Sequence, residues 1–358
     1  GGGGGGGEES ATAAAAGSDS PAASSSKAIK AIKAERAASA SSSKARPQSK
    51  LVDSFSHLRQ YRAPPTKQHT SLAGATAAGV ACHPAVARLA ERYADGSIRG
   101  GRARCIALLH TLKIVIADFQ TPSDAKYAHA LTTCVNAVVQ HIQSARAMAV
   151  SMGNAVKSLK THLARMAEAP TPPSDEESRK KTLGHLEYFE REKLIQAGKF
   201  IAEHGAGEIA DGDVIVTHGV SHHVVEILLA AFDAGKTFRV VVVDSRPKLE
   251  GRETLKRLLG RGIPCAYTTL AGLGYVLRKG GATKTLVGAA AVLANGAVVS
   301  RVGTAVVAAA STHRGVPVLV AAETCKFHER VQVDAIASNE LGNPAEIVDV
   351  GSGSGGSG

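Results

Sequence analysis

The chain has no tryptophan, and aromatic residues make up only 4% of its 358 positions. No segment interleaves basic with aromatic side chains, as a base-stacking surface requires. Direct nucleic-acid binding is therefore not expected, although the formal net charge is +11. Residues 1–70 carry ten Lys/Arg against five Asp/Glu, so about half of the excess lies at that end and the remainder is only mildly basic. Cysteine is scarce: Cys82, Cys105, Cys134, Cys265 and Cys325 are far apart and odd in number. They form no C-x-x-C pair, which argues against a zinc site or a redox dithiol and for reduced, mostly buried thiols in an intracellular protein. Long apolar runs are missing too, because the longest candidate, Leu286 to Ala310, is broken by Asn295, Ser300 and Arg301. Neither end resembles a targeting signal, and a cytosolic location is expected. The start at Gly1 and the Gly/Ser-rich end suggest a fragment or added linker residues.

What is present falls into three compositional zones. Residues 1–50 are low-complexity Gly, Ala, Ser and Lys, expected to form a disordered tail. Residues 51–82 form a docking segment and linker, in which Leu51, Phe55, Leu58 and Tyr61 have helical spacing before two prolines. From 83 to 205 nearly every segment has helical periodicity, which predicts a helical domain. Within it, Ser174 and Glu177 predict a capping box opening a long helix that turns Leu183, Leu186, Phe189, Ile195 and Ile201 inward.

From 206 to 350 strands and helices alternate. DVIVT, FRVVVVDS, PCAYTT, TLVGAAAVL and VPVLVAA read as five strands joined by four crossover helices. The fold class expected is α/β, a helical domain followed by a Rossmann-like, doubly wound parallel sheet. Four consecutive valines, Val240–Val243, predict a strand apolar on both faces, as in a parallel sheet covered by helices on both sides. It ends in Asp244-Ser245-Arg246-Pro247, and polar residues at the carboxyl end of a parallel strand sit where α/β proteins bind ligands or partners.

The turn after the first strand, Thr217-His218-Gly219-Val220-Ser221-His222-His223, occupies the equivalent position. A dinucleotide fingerprint needs three glycines and this turn has one; Gly272-Leu273-Gly274 also lacks the third. No nucleotide cofactor is expected. Gly219-Val220-Ser221 has the outline of a nucleophile elbow, and Ser221, Asp244 and His313 or His328 follow hydrolase order. His223, however, replaces the glycine that close helix packing wants there. His218 and His222 have the spacing of metal ligands without a nearby carboxylate, so exposed or capping histidines and no metal are expected. Arg246 and Arg252 suit either a phosphate or the carboxylates of a neighbouring subunit.

Several segments together carry a resemblance: HPAVARLAERYADGSIRGGRARCIALL, SMGNAVKSL, RVVVVDSRPKLEGRETL, VLANGAVVSRVGTA and VPVLVAAETCKFHERVQVDAIASNELGNP. Across about residues 51 to 347 the chain resembles the family that joins the alpha, beta and delta regulatory subunits of initiation factor 2B to methylthioribose-1-phosphate and ribose-1,5-bisphosphate isomerases. SRPKLEGR, SRVGTA and SNEL favour its delta branch. The resemblance implies a regulatory subunit of the exchange factor for initiation factor 2, partnered by beta, alpha, gamma and epsilon subunits. It also implies contact with initiation factor 2, especially its phosphorylated alpha subunit. The family's isomerases use a cysteine and an aspartate whose positions fall here on Gly219 and Ala290, neither of which carries a proton. That implies a vestigial pocket of His218, Gly219, Ser221, Asp244, Arg246 and Ala290, no catalytic residues and no enzyme activity. The alternative is an isomerase in which His218, Ser221 or Asp244 substitutes. Arg88, Arg92, Arg99, Arg102 and Arg104 in the helical part, with Arg246 and Arg252, are candidate contacts for partners. Delta members continue past SNEL into a further strand and helices, so the sheet is expected to present an edge or face needing a partner.

Overall fold

The structure, a computed structural model, describes residues 83–171, 173–334, 342, 346 and 347. The predicted tail, docking helix and Gly/Ser end lie outside the described residues. Helix α1 (Pro84–Ala94) starts with proline, whose missing N–H costs nothing in a first turn, and His83 Nδ1 accepts from Ala85 N–H at 3.2 Å. Val86, Leu89, Ala90 and Tyr93 recur at helical spacing and are buried against α2 (Gly101–Asp118) and α3 (Tyr127–Ala145). Helix α4 (Val150–Ala167) adds Met152, Val156, Leu159 and Leu163 to the same core.

Helix α5 (Asp175–Tyr188) begins at Ser174, whose Oγ accepts from Glu177 N–H at 3.3 Å. Only half of the expected capping box forms, because the Glu177 carboxylate pairs with Lys181 at 2.7 Å on the next turn. Ser174→Ala should still cost about 1 kcal/mol of stability, the usual worth of one cap, measurable as a shift in the urea midpoint. Leu186 and Phe189 are buried as predicted, but Ile195 is 39% exposed and Ile201 is half-buried. The physical reason is a π-helical stretch, Phe189–Gln196. Its wider turn rotates the register, so that Leu194 rather than Ile195 enters the core. Helix α6 (Ala197–Gly207) follows without a break and packs on the helix after the first strand, so the predicted boundary near residue 205 falls inside it.

The sheet contains β1 (Val214–His218), β2 (Arg239–Asp244), β3 (Cys265–Thr269), β4 (Lys284–Gly288) and β7 (Val318–Ala321) in the order β3-β2-β1-β4-β7. Every pairing is parallel, with Val216 opposite Val241 and Val242 opposite Tyr267. The crossovers are α7 (His222–Asp233), α8 (Gly251–Leu259), α9 (Leu273–Lys279, after a short 3-10 turn) and α10 (Thr304–His313). Alternation along the strands feeds two cores. Ile215, Val240, Val242 and Leu286 pack toward α6, α7 and α8, while Val214, Val216, Val241 and Val243 pack toward α9 and α10. This is the doubly wound architecture that the four valines predict.

One predicted strand is two. TLVGAAAVL leaves the main sheet after Gly288 and resumes as β5 (Ala291–Leu293) in a second sheet of order β6-β5-β8, with β6 (Val298–Val299) antiparallel and β8 (Phe327–His328) parallel to it. Ala289 N–H still donates to Ala321 O of β7 at 3.3 Å, but Ala290 N–H donates to Val299 O at 2.7 Å, so from Ala290 on the backbone takes its partner from the hairpin. Among the described residues strand β7 is an edge, with Val320 42% exposed.

Candidate functional site

The strand order reverses between β1 and β4, and the crevice at the carboxyl ends of those strands is where open α/β sheets place their ligands. His218 closes β1 there. It is buried, and its Nδ1 lies 3.0 Å from Thr304 Oγ1 at the start of α10. Burial lowers its pKa, with the Asp244 and Glu250 charges acting more weakly the other way, so the ring is neutral at physiological pH. Gly303 roofs the ring: a Cβ on that glycine would sit 2.7 Å from His218 Nε2.

Gly219 follows at φ +61°, in the left-handed region that favours glycine. Its N–H donates to Val243 O at 2.9 Å and its carbonyl accepts from Thr254 Oγ1 at 2.8 Å. Ser221 precedes α7 and rests against the end of β4, where a Cβ on Gly288 would lie 2.1 Å from its Oγ. Asp244 ends β2 with 1% exposure, its Oδ1 accepting from Ser245 N–H and its Oδ2 from Tyr267 OH, both at 2.9 Å. Burial raises the Tyr267 pKa, and the Asp244 bond raises it further. Gly251 leaves room for this carboxylate, since a Cβ there would approach Asp244 Cγ to 2.8 Å. Arg246 and Arg252 are exposed at the rim, while Arg301 pairs with Glu250 at 3.0 Å beside them. Ala290 presents a bare, exposed methyl.

His218, Gly219, Ser221 and Asp244 therefore cluster at the end of the sheet. Asp244 accepts from Ser245 and Tyr267, and His218 meets Thr304 through Nδ1, while its buried Nε2, under Gly303, has no hydrogen-bond partner among the described residues. The hydrolase order with His313 fails on geometry. His313 ends α10, whose first turn holds Thr304 at the site, so it lies roughly 13 Å away along the helix axis. The expectation of an exposed or capping His218 is also corrected, because the ring belongs to the packing between β1 and α10. His222 is exposed, 3.9 Å from Glu226. Among the described residues no three His, Cys, Asp or Glu side chains gather as a metal site.

Of the helical arginines, Arg88, Arg92 and Arg99 are exposed. Arg102 is half-buried against Gly198 of α6. Arg104 is not a surface contact: it is 6% exposed, its guanidinium lies 4.9 Å over the Tyr93 ring, and Nη2 donates to Ala147 O. Sequence periodicity did not separate it from its neighbours because Arg104 shares a helical face with Cys105 and Leu108.

Sequence reasoning also missed a buried charge cluster behind the site. His223 Nε2 lies 2.5 Å from Glu323 Oε1, and Lys326 Nζ lies 2.7 Å from Glu323 Oε2. Asn154 of α4 donates to Cys325 O and Phe327 O, both at 2.8 Å, stitching the helical core to the same loop. Nothing in the local pattern marks these residues, which lie about a hundred positions apart.

The fold and site thus define a helical-plus-α/β protein with a switch-point crevice whose acid and imidazole are held in structural contacts. Residues 97–354 match the profile of the initiation factor 2 subunit family, and the chain belongs to that family. The chain is 40% identical over 269 residues to the eIF2B delta subunit of Schizosaccharomyces pombe, covering 75% of this chain and 56% of that relative. It thus spans just over half the length of that protein. It is 32% identical to the ribose 1,5-bisphosphate isomerase of Pyrococcus furiosus, covering 74% of this chain and 78% of the relative. A chain of the tetrameric eIF2B-beta2-delta2 crystal structure from C. thermophilum superposes with a TM-score of 0.74 at 30% identity, covering 83% of this chain and 91% of that one. No helix among the described residues is long and apolar enough to cross a membrane.

Proposed function

We propose that the chain is a non-catalytic, delta-type regulatory subunit of the factor that exchanges GDP for GTP on initiation factor 2. In this reading it works in the cytosol, scaffolds the complex with beta, alpha, gamma and epsilon subunits, and senses phosphorylation of the alpha subunit of initiation factor 2. The observation that carries it is the state of the switch-point crevice. Gly219 and Ala290 stand where the family's isomerases are expected to hold their proton-moving cysteine and aspartate, and neither has a titratable group. The likeness to a delta subunit over three quarters of the chain supports the same reading. Pairing with a beta subunit draws support from the superposed crystal structure, a tetramer of beta and delta subunits, and in this reading it runs through the α/β part. Arg246 and Arg252 at the rim and the exposed edge of β7 offer surface for it.

A doubly charged phosphoserine attracts guanidinium groups, and Arg88, Arg92 and Arg99 are the exposed candidates in the helical part. The test is a GDP-release assay on the reconstituted five-subunit complex carrying Arg88→Glu, Arg92→Glu or Arg99→Glu. At least one substitution should weaken inhibition by phosphorylated initiation factor 2 about tenfold while the complex assembles normally. Unchanged inhibition across all three would remove these arginines from the sensing surface.

The second reading, an isomerase using displaced groups, draws on the buried His218 and Asp244 and on the isomerase relative. A proton shuttle must touch its substrate, and His218 is covered by Gly303 and bonded to Thr304. Incubating the protein with pentose phosphates and following ketose formation by NMR separates the two readings. Turnover abolished by His218→Gln would favour the isomerase.

A further inference from the structure

The helical part contains a cavity of about 400 Å³ between α4 and α5, away from the switch point. Lys157, Ser158, Thr161, His162 and Arg165 of α4 line one side, and His185 of α5 lines the other, with Asn154 at the end. The lining contains no carboxylate. Its volume is within the range of small-molecule sites.

The two imidazoles stack face to face, with centroids 4.4 Å apart and planes 11° from parallel. His185 Nε2 lies 3.0 Å from Ser158 Oγ, while His162 Nε2 is buried with no hydrogen-bond partner. Buried polar nitrogens are normally paired, and among the described residues His162 Nε2 is the buried side-chain nitrogen of this lining that is not. Thr161 spends its hydroxyl on Lys157 O, and Asn154 spends its amide on Cys325 O and Phe327 O. The donors left for an occupant are the Lys157 ammonium, the Arg165 guanidinium and the imidazole N–H groups.

The charges around the cavity are unbalanced. On α4 stand Lys157, His162 and Arg165; on α5 stand His185 and Lys181, whose exposed pair with Glu177 at 2.7 Å offsets its charge only weakly. From the segment after β8, Glu329 reaches Lys157 at 3.4 Å, but both side chains are more than two-thirds exposed and such a pair is weak. Arg165 has no carboxylate facing it within this set. The geometry points to a phosphate-binding site: the α4–α5 cavity takes the dianionic phosphate of a small molecule, held by Lys157 and Arg165 and completed by the His162–His185 stack.

Burial and like charges keep both histidines below their ordinary pKa: each is lowered first by burial and then by neighbours that include Arg165, and His162 also by His185. A bound dianion reverses that balance, so binding takes up protons and tightens as pH falls through the histidine range.

The test is calorimetric titration of the full chain with sulfate, whose charge is constant between about pH 6 and pH 8, at fixed ionic strength. Inorganic phosphate and glycerol 3-phosphate are titrated beside it. The expected result is saturable binding that is roughly tenfold tighter near pH 6 than near pH 8, with the imidazole resonances of His162 and His185 shifting at saturation. Arg165→Gln, an exposed position, should weaken it about tenfold, and His185→Gln should flatten the pH dependence, both with an unchanged circular-dichroism spectrum. Glycerol 3-phosphate binding tighter than phosphate identifies a phosphomonoester as the occupant, and equal binding identifies free phosphate. Absence of saturation by roughly 10 mM of all three ions near pH 6, or equal binding by Arg165→Gln, overturns the site.

Discussion

Glu323→Gln should lower the unfolding free energy by about 3–5 kcal/mol at neutral pH, the usual consequence of removing one member of a buried ion cluster. His223 is 1% exposed, Glu323 1% and Lys326 6%, so water cannot replace the lost charge. The substitution keeps the shape of the side chain and leaves the Lys326 ammonium buried beside a neutral amide. Burial pushes the Glu323 carboxyl up, but the His223 contact and the Lys326 charge outweigh it and hold it at about 2. A carboxyl depressed on folding contributes stability that is fully present above its unfolded pKa and is lost as pH falls through its folded one. The gap between parent and variant should therefore be constant above about pH 5 and close between about pH 4.5 and pH 2. Urea unfolding at several pH values measures it. The double variant Glu323→Gln/Lys326→Met should recover part of the loss, because the stranded charge goes with its partner. A Glu323→Gln loss below about 1 kcal/mol at pH 7 would mean that the cluster is hydrated.

Gly303→Ala should cost roughly 3 kcal/mol, from two sources that act at one atom. Gly303 has φ +101° just before α10, a conformation that L side chains adopt only with strain. The added methyl would also lie 2.7 Å from His218 Nε2 and 3.0 Å from Leu270 Cδ1, displacing a buried ring that is bonded to Thr304. Gly274→Ala is the control. It lies inside α9 with ordinary φ and nothing within 4 Å of the new methyl, and it should be neutral or stabilising by up to about 1 kcal/mol. Thermal unfolding of both variants separates the outcomes, and a Gly303→Ala change within about 0.5 kcal/mol would show that the turn before α10 is free to rearrange.

Particular residues show where sequence reading works. Val240–Val243 name a two-faced parallel strand because alternate side chains must find apolar partners above and below the sheet, as they do. The place of Asp244 and His218 at the carboxyl ends of their strands was legible from the strand pattern alone, since strand ends converge on the crevice whatever the side chains are. Ile195 was misread because periodicity assumes 3.6 residues per turn throughout, and the π-helical stretch breaks that assumption without a sequence signal. Arg104 was misread because a guanidinium is buried only where a carbonyl and an aromatic face wait for it, and both come from other segments. The division of TLVGAAAVL has the same origin: the strand's neighbours change from β7 to β6 and β8, and neighbours are not written in the strand.

By itself the sequence determined the α/β class, the helical part before it, the order of the crossover helices and the absence of proton-carrying groups at Gly219 and Ala290. These follow from local periodicity and from single residue identities, which need no knowledge of distant contacts. Only the tertiary structure decided that His218 is locked under Gly303, that His223, Glu323 and Lys326 share one buried charge cluster, and that His162 and His185 stack across α4 and α5. Each depends on residues far apart in the chain meeting at a few ångströms, where desolvation sets which charges survive.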